Sequence, residues 1–166
     1  MKLLELPLFA ATRRNHALEH ATIHVLSERN PNLRLVGRSD WTGFTLYGPV
    51  DTNELTEALA SALLRLQGGE SQLAVHPRCG TNLATGMVLA GLASTAALGG
   101  RRRSRLEKAL QLAIGLGAAL SLAQPLGTKI QEHITTSPDV ANLRVARILP
   151  LRRGEVIVHR IETVQE

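Results

Sequence analysis

The stretch that decides the fold reads GTNLATGMVLAGLASTAALGG at residues 80–100, RRRSR at 101–105 and ALQLAIGLGAALSLAQPLG at 109–127. Neither long run contains a charged residue, and the second is interrupted only by Gln111, Gln124 and the terminal Pro125. As a helix each run extends roughly 28 to 32 Å, which matches the hydrocarbon thickness of a bilayer. The expectation is a two-helix transmembrane hairpin over residues 83–134. A buried hairpin of a soluble protein would contain similar runs, but soluble helices usually carry a polar stripe and these do not. Gly86, Gly91 and Ala93 in the first run, and Gly115, Gly117 and Ala118 in the second, let backbones approach closely in lipid. Such faces suit packing of the hairpin on itself or on a second copy, as a homo-oligomer.

The net charge of +5 is not spread over the chain. Residues 1–82 hold eight basic and eight acidic side chains, residues 101–108 five and one, and residues 129–166 six and five. A nucleic-acid protein distributes its cations over a binding face; here the excess sits in the connection between two apolar runs and is a topology signal. Aromatic residues make up 2% of the chain, which removes base-stacking platforms as well, so no nucleic-acid partner is expected. Short arginine-rich loops stay cytoplasmic, which taken literally puts the rest of the protein outside. Against that, Glu5 and Pro7 stand where a signal peptide needs an unbroken apolar stretch. The expected location is the bacterial cell membrane, multi-pass, with both orientations open.

The residues flanking the hairpin, 1–82 and 135–166, read as one α+β extramembrane head, and 166 residues suffice for one domain with a real core. Leu8 to Glu28 forms a helix ended by Arg29-Asn30-Pro31-Asn32. Leu33 to Arg38 and Thr42 to Tyr47 form a β-hairpin. Asp51 or Thr52 caps a second helix, Glu54 to Leu66, with Leu55, Leu63 and Leu64 as its apolar face and Gly68-Gly69 at its end. Gln72 to His76 reads as a short strand, and Asn142 to Leu149 with Glu155 to Ile161 as a strand pair around Arg152-Arg153-Gly154.

One motif carries chemistry. The first helix contains His16-Ala17-Leu18-Glu19-His20, an H-x-x-E-H arrangement. His16 and His20 lie one turn apart, about 40 degrees in projection, so both imidazoles can reach one zinc ion. Zinc lowers the pKa of bound water, and Glu19 is placed to take its proton. His24 continues the row but stands about 12 Å along the axis from His16, too far to share an ion with both others. A catalytic site needs a third protein ligand. The candidates, in order of preference, are His76 and Cys79 in His76-Pro77-Arg78-Cys79-Gly80-Thr81-Asn82, then Asp139 in Thr135-Thr136-Ser137-Pro138-Asp139. The alternative is that Arg13, His16, Glu19, His20 and His24 form a solvated helix face opposite Ala17, Leu18, Ala21 and Val25. Likewise His76 to Asn82 reads as a strand end and proline turn, with Thr81 or Asn82 capping the membrane helix. Cys79, the only cysteine, excludes an intramolecular disulfide and is a candidate nucleophile beside His20 or His76.

His16, Glu19 and His20 together resemble the motif of the inverzincin metallopeptidases, in which the two His bind zinc and the Glu is the base. The resemblance covers five residues; the chain is far shorter than those enzymes and lacks their downstream acidic ligand helix. Over nearly its whole length, including Arg14 to Thr22, His76 to Asn82 and Thr135 to Asp139, the chain is similar to an uncharacterised bacterial membrane-protein family of unknown function. The expected function is a membrane-bound zinc-dependent hydrolase acting on peptide bonds of a peptide or membrane-protein substrate, with a non-catalytic membrane adaptor or assembly factor as the alternative.

Overall fold

The computed structural model describes residues 3–99, 104–153 and 156–165. Arg101, Arg102 and Arg103 of the arginine-rich connection lie outside them, as does Gly154 of the expected strand turn. The chain divides into two compact units, Met1–His76 with Glu132–Glu166, and Pro77–Gln131. Among the described residues it is α+β, with four α-helices and one four-stranded antiparallel sheet.

In the first unit, α1 spans Pro7–Arg29. Pro7 sits in its first turn, where a missing N–H leaves no bond unmade, and the helix stops at Asn30, followed by Pro31. One side of α1, with Ala17, Leu18, Ala21 and Val25, is buried in the same core as Leu55, Ala58, Leu59, Ala62 and Leu66 of α2 (Thr52–Gln67). Asp51 is the cap of α2, its carboxylate accepting from the N–H groups of Asn53 and Glu54. The apolar face of α2 differs from expectation at one position. Leu63 packs against the core, but Leu64 stands about half a turn from Leu55 and is exposed.

The strands are β1 (Val36–Asp40), β2 (Gly43–Tyr47), β3 (Leu143–Arg153) and β4 (Val156–Gln165), in the spatial order β1-β2-β4-β3. The C-terminal pair joins the N-terminal hairpin through β4, with Phe44 opposite Ile161 and Leu46 opposite His159. Phe44, Leu46 and Ile161 are buried and complete the core of α1 and α2.

Two expected strand segments take other forms. Leu33 to Leu35 precede β1 as irregular chain, because the β1–β2 ladder ends at Val36 and Tyr47 while the next residue, Gly48, turns its N–H to Ile157. Residues 72–76 are no strand: Ser71–Ala74 form a 3-10 turn. Leu73 and Ala74 are buried in the core there, and the carbonyls of Ala74 and Val75 accept from side chains of α1 instead of from a ladder.

The second unit is built on α3 (Gly80–Leu98) and α4 (Arg105–Ile130), with Ser104 and Glu107 forming a capping box at the start of α4. Cys79, rather than Thr81 or Asn82, caps α3, its Sγ accepting from the Thr81 N–H. Asn82 turns inward, where its Oδ1 accepts from Gln131 Nε2 at 2.7 Å and its Nδ2 donates to the Pro77 carbonyl at 2.8 Å. Gly127 is required beside it, since a Cβ there would collide with Asn82 Oδ1. Pro125 does not end α4, which runs on to Ile130 and then into a π-helical turn, Gln131–Thr135. Both helices are long and apolar enough to cross a membrane, and most of their apolar side chains, Leu83, Leu92, Ile114 and Leu120 among them, are exposed.

Candidate metal centre

Helix geometry gives α1 three faces. The apolar one makes the core. A second carries Asn15, Glu19 and Thr22, all buried and about one turn apart. Asn15 Nδ2 donates to the Asp40 carbonyl at 2.8 Å, and Thr163 Oγ1 donates to Asn15 Oδ1 at 2.7 Å. Glu19, only 4% exposed, accepts a 2.5 Å hydrogen bond from Ser39 Oγ of β1. Gly37 makes room for it, because a Cβ at that position would overlap the carboxyl group.

The third face carries His16, His20 and His24. His16 Nδ1–H donates to the Thr135 carbonyl at 3.0 Å, and His20 Nδ1–H donates to the Ala74 carbonyl at 2.8 Å. A carbonyl oxygen can only accept, so in both rings the proton is on Nδ1 and the lone pair on Nε2. His24 is anchored through its other nitrogen, Nε2–H donating to the Val75 carbonyl at 2.8 Å, which leaves the lone pair on Nδ1. Metal-binding imidazoles are typically held in this way, by a hydrogen bond on the nitrogen that does not bind.

The ring centroids of His16 and His20 are 4.3 Å apart, those of His20 and His76 5.7 Å, and those of His24 and His76 4.9 Å. Two imidazoles on one tetrahedral zinc, each with a Zn–N bond of about 2.0 Å, have centroids about 5 Å apart. The spacing and the donor chemistry of the row therefore fit such an ion. His20 is 2% exposed. Its burial, reinforced by the His16 ring beside it, lowers its pKa to about 3, so the ring stays neutral as a ligand must. Burial also raises the pKa of Glu19, opposed by the Ser39 hydrogen bond and by His16. Arg13, on the same side of the helix, is committed elsewhere: its guanidinium donates to the carbonyls of His133 and Thr136.

Of the residues singled out from the sequence, His16, His20, His24 and His76 share one row. The solvated-face reading of α1 fails for His20 and Glu19, which are buried in the fold. Glu19 lies next to the row but points toward β1. Asp139 is not in the row; its carboxylate faces Arg14 at 3.7 Å. Cys79 belongs to the second unit, at the start of α3. Sequence reasoning missed the groups that set the histidines, the carbonyls of Ala74, Val75 and Thr135, since any residue supplies one. It also missed Ser39 and Gly37, although a glycine inside a strand is a known sign of close approach.

A profile described as a domain of unknown function (DUF6391) matches residues 11–148. An uncharacterised protein of Picosynechococcus sp. (strain PCC 7002) is 39% identical over 135 residues, covering 75% of this chain and 65% of its own length. The chain thus spans a little under two thirds of that curated relative. No solved structure matches.

Proposed function

We propose a function on one premise: the chain belongs to the family defined by the domain of unknown function DUF6391, which prescribes no activity. The reading is a zinc-dependent hydrolase of the bacterial cell membrane, acting on peptide bonds in a peptide or membrane-protein substrate. The observation that carries it is the anchoring of His16 and His20 on main-chain carbonyls, which leaves both with an Nε2 lone pair, at 4.3 Å between ring centroids. His16 and His20 would hold the ion, and His76, or Cys79 three residues further along the chain, would complete the set. The chemistry that such an ion would supply there, when bound, is a water of lowered pKa and a Lewis acid for a carbonyl oxygen. His16, half-buried where His20 is sealed, is the ring a substrate meets first. Glu19, its pKa raised by burial, is the group that takes up a proton. It points toward β1, where its Oε2 accepts from Ser39, so to reach that water the carboxyl group must turn toward the histidine row. The two apolar helices, as a multi-pass hairpin whose sequence is inserted into that of an extramembrane head, would hold the protein in the membrane. Gly91 and Gly117, which have open space around them, suit contact with a second copy.

The geometry of Glu19 favours a second reading. Its bond to Ser39 and its fit against Gly37 are what a structural carboxyl group would show, and they suit a membrane adaptor or assembly factor whose histidine row is not catalytic. Zinc content and hydrolysis by the purified protein in nanodiscs separate the two. The hydrolase should hold at least one zinc per chain, a content that falls in both His16→Ala and His20→Ala, and Glu19→Gln should keep the metal and lose roughly a hundredfold or more in turnover. If neither histidine variant lowers bound metal the hydrolase fails; metal retained with no effect of Glu19→Gln on the cellular phenotype leaves the adaptor.

A further inference from the structure

The proposed site uses two of the three histidines on α1 and leaves His24 unexplained. His24 is nevertheless built like the other two. Its Nε2–H is fixed on the Val75 carbonyl, so its Nδ1 lone pair has a set direction. Its ring lies 4.9 Å from that of His76 at 63°, closer than His76 lies to His20, and near the roughly 5 Å expected for two imidazoles on one tetrahedral ion. On α1, His24 is two turns and about 12 Å beyond His16, more than one ion can bridge. The four rings therefore form a row longer than one coordination sphere.

We infer that His24 and His76 form a second, separate position for a late divalent transition ion, alongside the one at His16 and His20; His76 then belongs to this second position and not to the first. Imidazole donors select zinc, cobalt, nickel or copper over magnesium, calcium and manganese. His24 and His76 are both half-buried whereas His20 is sealed, so the second position exchanges its ion more readily. The inference rests on the metal reading of the α1 row, but not on hydrolysis.

Equilibrium dialysis of the metal-free full chain in nanodiscs against buffered free zinc, with metal counted per chain, tests it. Wild type should approach two equivalents at saturation. His24→Ala and His24→Phe should each approach one, and His16→Ala should also keep one. A Tm within a few degrees of wild type identifies variants that remain folded, and the Phe variant fills the volume that Ala leaves. One equivalent in wild type, unchanged by either His24 variant, overturns the second position while the first stands. Loss of all zinc in a folded His24 variant overturns it too, since His24 would then belong to a single site. No zinc in wild type sinks both readings.

Discussion

Leu64 of the head is 69% exposed and Leu120 of the hairpin 78%, yet the two leucines sit in opposite kinds of structure. Around Leu64 the apolar residues of α2 turn inward, and the head closes a core of its own from Leu18, Leu55, Phe44 and Ile161. Around Leu120 the apolar residues turn outward, and α3 and α4 come close at small residues, Gly86 against Ala123 and Gly115 against Ala93. The head buries its apolar side chains inside; the hairpin turns them outward, on helices long and apolar enough to cross a membrane. Equal exposure thus means a tolerated exception in one region and a dependence on surroundings in the other.

The sharpest way to break that contrast is to charge the hairpin. Replacing Leu92 and Leu120 together by Lys should cost about 6 kcal/mol of insertion free energy, at about 3 per charge near the centre of a span. An insertion assay with engineered glycosylation sites should find the membrane-inserted fraction collapsed. An unchanged fraction would mean that these helices do not face lipid.

The next effect separates the regions by pH. In the metal-free protein burial lowers the pKa of His20 from 6.5 to about 3. The unfolded chain then binds a proton that the folded chain refuses. The resulting stability is complete above about 6.5 and is lost as pH falls from there toward 3, by up to roughly 5 kcal/mol. Urea midpoints in micelles should fall over this range for wild type and much less for His20→Gln, while Gly80–Leu98, which has no ionisable side chain, keeps its helical signal.

A smaller change probes the fit inside the head. Gly37→Ala pushes a methyl group into Glu19 and should destabilise the head by about 1 to 3 kcal/mol. Adding Glu19→Ala should recover part of that loss, a coupling visible in a double-mutant cycle; strictly additive effects would contradict the contact. The smallest effect belongs to Leu64→Lys, within about 0.5 kcal/mol by Tm. A large loss there would show that this leucine is covered by something in the assembled protein.

The apolar tracts, α1, α2 and the strand pairs were legible because periodicity, caps and turn residues are local signals. What failed to read was set by distant partners. Residues 72–76 alternate like a strand, but Leu73 and Ala74 lie in the core and the carbonyls of Ala74 and Val75 serve His20 and His24. Pro125 reads as a stop, yet the helix continues. Cys79 takes the cap that Thr81 and Asn82 seemed to offer, because Asn82 is drawn inward to Gln131. In the candidate site the spacing of His16 and His20 was readable, since 3.6 residues per turn fixes it. The direction of Glu19 was not, because β1 decides it through Ser39 and Gly37. The place of Asp139 was decided by Arg14, more than a hundred residues away in the chain.

The hooks that orient His16, His20 and His24 are all peptide oxygens, at Thr135, Ala74 and Val75. A scan that trims one side chain after another would pass over these three positions and find little. The support of the rings is written into the polymer rather than into its substituents, so the imidazoles keep their aim through any change of side chain there that the packing accepts. Only chemistry on the main chain itself, such as exchanging the amide after Ala74 for an ester by semisynthesis, would weaken the grip on His20 and leave every side chain in place.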